Sequence, residues 1–361
     1  MAALAYYVSG HGYGHATRTC AIVDSLTRRA PQTTVHVVTD APVSIFRDVA
    51  DRISLHPRPI DVGLVQRDAV EPDLVATGAR LREYLGSLDR RADDEARFLR
   101  EVRAGVAVVD VAPLGFLAAG RAGIPALGVA NFAWDWIYEP YRAADPAFPA
   151  AIERFREIYG RAALLLRLPF APGMDAFPRR EDAPLVVRLA RRPAAETRAA
   201  LGLAGDPRPI VLVSFGGFGL PDLEVEALAA MDDVRFVAFG PPDRPGPANV
   251  TFVQGDAHHH PDLVAAARVV VSKPGYGAVA EAIAHGTAFL YAPRPDFPEY
   301  PYLVRGLEAH VASAPIPLAD LRAGHWAERL RPLLAAPRGT PPARTDGADA
   351  VAARLLAHLG V

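Results

Sequence analysis

The chain alternates short apolar runs with longer amphipathic ones, and it does so twice. In the first series, residues 4–9 read as a strand and 17–29 as a helix. Residues 34–39 are again a strand, followed by a helix over 41–49. After an irregular stretch, 78–103 read as a long charged helix, 106–109 as a strand, 113–122 as a helix and 125–130 as a strand. The second series starts near Arg208, with strands over 210–214, 235–239, 269–272 and 288–291. Its intervening helices cover 223–230, 261–267 and 277–285. Apolar strands separated by helices predict parallel sheets covered on both faces. The expected class is α/β, with two Rossmann-like doubly wound domains facing one another across a cleft. The first is expected over residues 1–180 and the second over 208–340. A charged segment carrying Pro184 and Pro193 links them over 181–207. A last amphipathic helix, 346–361, is expected to pack back on the first domain.

Bulk properties agree. A length of 361 residues exceeds one ordinary core. With 50% hydrophobic and 22% charged residues, the chain fits a soluble globular protein. A formal net charge of -2 provides no overall basic field for nucleic acid or an acidic membrane. Cys20 is the sole cysteine, which excludes a disulfide framework and a cysteine zinc cluster. The first residues run straight into a strand, so they read as a fold element and not a signal peptide. The most apolar stretch, 106–132, is interrupted by Asp110, Arg121 and several Gly and Pro residues, which rules out a spanning helix. A cytoplasmic protein is expected, with oligomeric state left open.

Ligands of doubly wound sheets bind at the carboxyl ends of the strands, where strand order switches. Loops that follow strands therefore carry the candidates. After 269–272 comes Ser272-Lys273-Pro274-Gly275-Tyr276-Gly277, running to Glu281. Pro and Gly force a turn, and the helix behind it presents free N–H groups and a positive dipole end, which is an anion site. Lys273, the only lysine of the chain, adds a full charge. Glu281 lies about a turn into the helix, placed to accept from ribose hydroxyls. The first domain opens with Ser9-Gly10-His11-Gly12-Tyr13-Gly14-His15-Ala16-Thr17-Arg18. Three glycines let a ligand approach the backbone, and two histidines point to acid–base work rather than a pure phosphate cradle. Asp110 ends a strand and reads either as a helix cap or as the partner that orients His15. Asn131-Phe132-Ala133-Trp134-Asp135-Trp136 follows another strand, and its aromatic faces suit stacking on an acceptor. In His258-His259-His260, neighbours on an extended segment face opposite ways, so a shared metal ion is not expected.

Residues 272–293 resemble the donor-binding segment of GT-B glycosyltransferases, both the peptidoglycan N-acetylglucosaminyltransferases and the plant small-molecule enzymes. The resemblance implies that the Gly275–Gly277 turn holds a diphosphate and that Glu281 holds the ribose. It implies that Ser214-Phe215-Gly216-Gly217 borders the phosphates, that His259 and His260 lie near the nucleotide, and that Glu299 contacts the donor sugar. Tyr300 stands where those families usually carry Gln. His15 maps to the general base and Asp110 to its partner, with His11, Gly14, Arg18, Trp134, Asp135 and Trp136 on the acceptor side. The first turn and the Trp134–Trp136 loop also resemble the glycosyltransferase-like N-terminal half of bacterial L-arabinokinases.

The activity implied is metal-independent, inverting transfer of a sugar from a nucleoside-diphosphate sugar to a hydroxyl of a small molecule or glycan. The nucleotide sugar is a co-substrate, and no cofactor is implied. UDP is the family's commonest carrier, with dTDP and GDP open. Paired-glutamate retaining enzymes carry Glu at the position of Lys273, so its lysine favours inversion. The rival readings are an epimerase or hydrolase acting through Glu299 and Asp296, and a non-catalytic sugar-nucleotide-binding module.

Overall fold

The computed structural model describes residues 2–361 except 68–70, 217–219, 221, 256 and 343. The first sheet has seven strands: β1 (Ala3–Val8), β2 (Thr34–Thr39), β3 (Ile53–Pro57), β4 (Val106–Asp110), β5 (Ala126–Ala130), β6 (Leu164–Arg167) and β7 (Arg180–Asp182). All pair in parallel, in the order β3-β2-β1-β4-β5-β6-β7. The second has six parallel strands: β8 (Ile210–Val213), β9 (Arg235–Phe239), β10 (Val250–Val253), β11 (Val269–Ser272), β12 (Ala288–Tyr291) and β13 (Ser313–Pro315). Their order is β10-β9-β8-β11-β12-β13. Every residue of β1, β4, β5, β8, β11 and β12 is buried. Helices cover both faces, so these strands are apolar throughout instead of alternating.

The helices are α1 (Tyr13–Arg29), α2 (Leu74–Glu101), α3 (Pro113–Ala122), α4 (Trp134–Tyr138), α5 (Ala147–Tyr159) and α6 (Ala194–Ala200). They continue with α7 (His260–Ala266), α8 (Tyr276–His285), α9 (Tyr300–His310), α10 (Leu318–Arg322), α11 (Ala327–Ala335) and α12 (Gly347–Leu359). No helix is long and apolar enough to cross a membrane among the described residues.

Three local expectations change. Val43–Arg52 and Val225–Ala230 wind as 3-10 helices. Each buries a pair three residues apart, Phe46 with Val49 and Val225 with Leu228, a spacing that suits three residues per turn. Residues 53–57, inside the stretch read as irregular, form edge strand β3. Residues 180–182 complete the first sheet as β7 and so extend it past residue 180.

One hydrophobic core lies on the outer face of each sheet, and a third lies between the sheets. The middle core joins Ala16, Cys20 and Val23 of α1 to Val279 and Ile283 of α8 and Val351 and Leu355 of α12, so the two domains share packing. Its C-terminal helix is tied to the first sheet by Arg354, whose fork donates to both oxygens of Glu181 at 2.6 and 2.9 Å. Strand order switches between β1 and β4 in one sheet and between β8 and β11 in the other. These two points face each other, and the helices that start there meet. A Cβ on Gly277 would lie 3.1 Å from Thr17 Oγ1 and 3.7 Å from the Cα of Gly14. A larger residue at Gly277 would press on Thr17, whereas a Cβ at Gly14 would sit at ordinary contact distance, 3.7 Å from Gly277 N.

Candidate active site at the facing switch points

On the first side, β1 ends at Val8, in register with Asp110 at the end of β4. Helix α1 then starts beyond Gly12, and residues three apart on it share a face, which points His15 and Arg18 at Asp110. His15 Nδ1 lies 2.8 Å from Asp110 Oδ1. Arg18 closes a fork on the same carboxylate, with Nε 2.6 Å from Oδ2 and Nη2 on Oδ1. Arg18 Nη2 also lies 2.8 Å from His15 Nδ1. Both nitrogens approach the same carboxylate oxygen, and guanidinium only donates. We therefore assign Nδ1–H to Asp110 and the Arg18–His15 approach to crowding. Burial of Asp110 would raise its pKa, but Arg18 and His15 outweigh that and hold it below the usual carboxylate range. Among the described residues Nε2 of His15 has no hydrogen-bond partner, so its lone pair is the one available to a substrate.

The same cluster crosses to the second domain. Arg18 Nη1 donates to Asn131 Oδ1 at 2.6 Å, and Asn131 Nδ2 donates to Glu299 Oε1 at 2.6 Å. Arg18 is 3% exposed. Expected on the acceptor side, Arg18 is turned inward by its spacing from His15 and fixes Asp110 and Asn131. Glu299, expected on the donor sugar, is buried, with its pKa raised by desolvation despite the Asn131 bond. Gly14 keeps its place at the cleft, facing Gly277.

The aromatic loop, expected on the acceptor side, turns most of its side chains inward. Trp134 is 0% exposed, and Asp135 is buried and paired with Arg156 at 3.2 Å. Trp136 is half-buried and meets Tyr302 edge-on. The Trp134 ring packs edge-on against His11 and that of Phe132 against His15, and the Trp134 indole N–H donates to Asp61 Oδ2 at 2.9 Å. Asp61 is the functional candidate that reading the sequence missed. It lies in the loop after β3, a strand hidden by its mixed, half-exposed residues. Burial pushes its carboxyl up to about 6, against hydrogen bonds from Ser9 and Trp134 and the charge of His15. His11 stacks on Phe297 and packs against Gly63, whose φ of 65° and missing Cβ leave room for the ring. Desolvation, then the charges of His15, Arg294 and Lys273, hold its pKa well below the ordinary value, so His11 is neutral.

On the second side, Ser214 N–H donates to Val271 O at 3.0 Å, and Ser272 Oγ donates to Ser214 O, which sews the ends of β8 and β11 together. Ser272 is buried and ties the two strand ends together. Lys273 and Gly275 stand half-buried before α8, whose N-cap is Gly275. Tyr276 is buried, with Arg18 over its ring at 5.0 Å, so its side chain braces the domain interface. Gly216 faces Tyr13 of α1, and Gly217 lies outside the described residues.

Glu281 departs most from expectation. It is 2% exposed, and both of its oxygens are engaged inside the protein. Arg188 of the linker donates to Oε1 from Nε and Nη2 at 3.1 and 2.8 Å, and His260 Nδ1 lies 2.5 Å from Oε2. Burial acts upward, but Arg188 and His260 prevail and hold Glu281 down to about 2. It faces His260 and the linker. His260 continues through Nε2 to Ser214 Oγ at 2.9 Å. His259 turns away to Leu189 O at 3.2 Å. The adjacent histidines thus reach separate partners.

These features define the class: the fold is that of the GT-B glycosyltransferases. The calicheamicin glycosyltransferase CalG4 superposes with TM-score 0.65 at 17% identity, over 99% of this chain and 98% of that one. The Phytolacca americana UGT2 complexed with UDP-2-fluoro-glucose and pterostilbene gives 0.62 at 12% identity, over 100% and 94%. In sequence the chain is similar to L-arabinokinase of Arabidopsis thaliana, 34% identical over 329 residues. That match takes in 89% of this chain and spans 31% of the relative's length. No family model matches the chain.

Proposed function

We propose that this chain is an inverting glycosyltransferase that moves a sugar from a nucleoside diphosphate to an acceptor hydroxyl. The observation that carries the reading is the His15–Asp110 pair at 2.8 Å, placed opposite the Lys273–Gly277 turn. His15 Nε2 removes the acceptor proton, and Asp110 stabilises the imidazolium that forms. Arg18 keeps Asp110 ionised, which fixes the tautomer. The acceptor oxygen attacks the anomeric carbon directly, so configuration inverts. The leaving diphosphate is met by Lys273 and by the free N–H groups at the start of α8, which supply positive charge without a metal. UDP is the carrier we expect, in a cytoplasmic enzyme. The test is a thermal-shift series with UDP, dTDP and GDP, followed by transfer assays of wild type and His15→Ala. Binding to one nucleotide, with transfer lost only in the variant, supports the reading; no shift with any of them overturns it.

A second reading, a non-catalytic sugar-nucleotide-binding module, is supported by the match to L-arabinokinase, in which this chain spans 31% of the relative's length. Nucleotide binding by wild type without turnover of any donor would select it.

A further inference from the structure

We infer that Asp61 selects the acceptor, and that it selects a polyhydroxylated, sugar-like molecule over a flat aromatic one. The inference rests on the transferase reading, and it follows from how the first domain holds this carboxylate. The loop after β3 is clamped by three aromatic donors. Tyr84 Oη donates to Ile60 O at 2.9 Å, Tyr138 Oη to Gly63 O at 2.8 Å, and Trp134 Nε1 to Asp61 Oδ2 at 2.9 Å. The backbone on both sides of Asp61 is thereby fixed, and its side chain is aimed. Yet no arginine or lysine pairs with Asp61 among the described residues. A largely desolvated carboxylate without a cation is costly, and such groups concentrate where a ligand uses them.

Its surroundings decide the ligand class. Asp61 remains half-buried, so it is reachable, and it lies within electrostatic reach of His15. The groups facing it are Ser9 after β1, His15 of α1, Asp40 after β2, Tyr84 of α2, and Trp134 and Tyr138 of α4. The aromatic rings packed around the carboxylate and His15 are withdrawn: Trp134 and Phe132 are 0% and 3% exposed, and the exposed Tyr13 lies on the Gly216 side. The groups beside the carboxylate that keep partial exposure are polar, His11 and Asp61 itself, with the unsatisfied Nε2 of the buried His15 behind them. A carboxylate that accepts from one hydroxyl while a histidine deprotonates its neighbour suits a molecule with hydroxyls on adjacent carbons. A phenol has one hydroxyl and a ring that needs an apolar wall.

The experiment uses the full chain with UDP present. L-arabinose, the sugar in the relative's name, serves as the polyol probe, and pterostilbene as the flat phenol. Binding is read by saturation-transfer NMR titration for wild type and Asp61→Asn, which keeps an oxygen for the Trp134 N–H. Wild type should prefer L-arabinose, and Asp61→Asn should weaken that binding ~10-fold or more, since a site built to accept hydroxyl hydrogen bonds discriminates strongly. Pterostilbene binding should not change. Preference for pterostilbene, or unchanged sugar affinity in the variant, overturns the inference. Should the variant fail to fold, wild type decides alone. Protonation near the carboxyl's raised value of about 6 should weaken L-arabinose binding as pH falls through it, and a flat profile there overturns the proposal. Failure of the transferase reading is seen separately, as the absence of any thermal shift with UDP.

Discussion

The two switch points carry the same device and put it to different use. On the first side His15 Nδ1 faces Asp110, which Arg18 clamps; on the second His260 Nδ1 faces Glu281, which Arg188 clamps. Both carboxylates are buried, and both have pKa values pulled down by their arginines against desolvation. The difference lies at the far nitrogen. His260 Nε2 is engaged by Ser214, so its relay is closed inside the protein. His15 Nε2 is left to the cleft. A histidine–carboxylate pair becomes a base only where the outer nitrogen remains unsatisfied. Elsewhere it is a brace that orients a neighbouring loop.

Cutting each carboxylate is the strongest way to break this comparison. Asp110→Ala leaves Arg18 buried without its partner, and Glu281→Ala does the same to Arg188. Removing one member of a buried ion pair costs about 3–5 kcal/mol, so urea denaturation should show a loss of that size in both. Among the molecules that stay folded, function should divide. Asp110→Ala should lower kcat, and Glu281→Ala should raise the donor KM by freeing His260 and Ser214. Matching kinetic losses in the two variants would mean that the two sides do not differ in kind.

Much of this was legible from residue pattern. Alternating apolar and amphipathic runs indicated two doubly wound sheets, and placement after strands pointed to His15, Asp110 and the Lys273 turn. What stayed hidden depended on which way side chains turn. Arg18 and Glu281 carry charge in Gly-rich neighbourhoods, so they read as ligand contacts, but both face inward to partners far away in the chain. Arg188, in a linker, had no local signal at all. Trp134 read as a stacking surface because aromaticity is visible and burial is not. Asp61 was missed because β3 is a half-exposed edge strand without the apolar run that marks its neighbours.

Histidine substitutions give the next largest effect and sharpen the same contrast. His15→Ala should lower transfer by ~100- to 10,000-fold, the usual reach of a general base, with donor affinity intact. His260→Gln should barely touch the proton transfer. It strands part of the buried Ser214–Glu281 chain and should cost about 1–3 kcal/mol in urea denaturation, with weaker UDP binding. Steady-state kinetics with both substrates varied separates the two. A fall in kcat for His260→Gln as deep as that for His15→Ala would merge their roles.

Acid titration gives the smallest effect and the finest test, because the two sides contain carboxylates shifted in opposite directions. Glu281 falls from 4.5 to about 2, so the unfolded chain binds its proton first. Its stabilisation, roughly 3 kcal/mol, is complete above the unfolded value and is lost as pH drops toward the folded one. Asp61 rises from 3.8 to about 6, so the folded chain holds the proton longer. It destabilises the neutral-pH fold by a similar amount, and acidification through that window removes the penalty. The half-buried, neutral His11 adds its own acid sensitivity, but equally to every variant, so differences from wild type isolate each carboxyl. Glu281→Gln should be less stable than wild type at neutral pH, with the gap closing between about 4.5 and 2. Asp61→Asn should be more stable at neutral pH, with the advantage disappearing between about 6 and 4. Urea midpoints across that range read both. Gaps of the same sign would show that Asp61 is held as a structural carboxylate like Glu281, and that the first side contains no acid strained for a ligand.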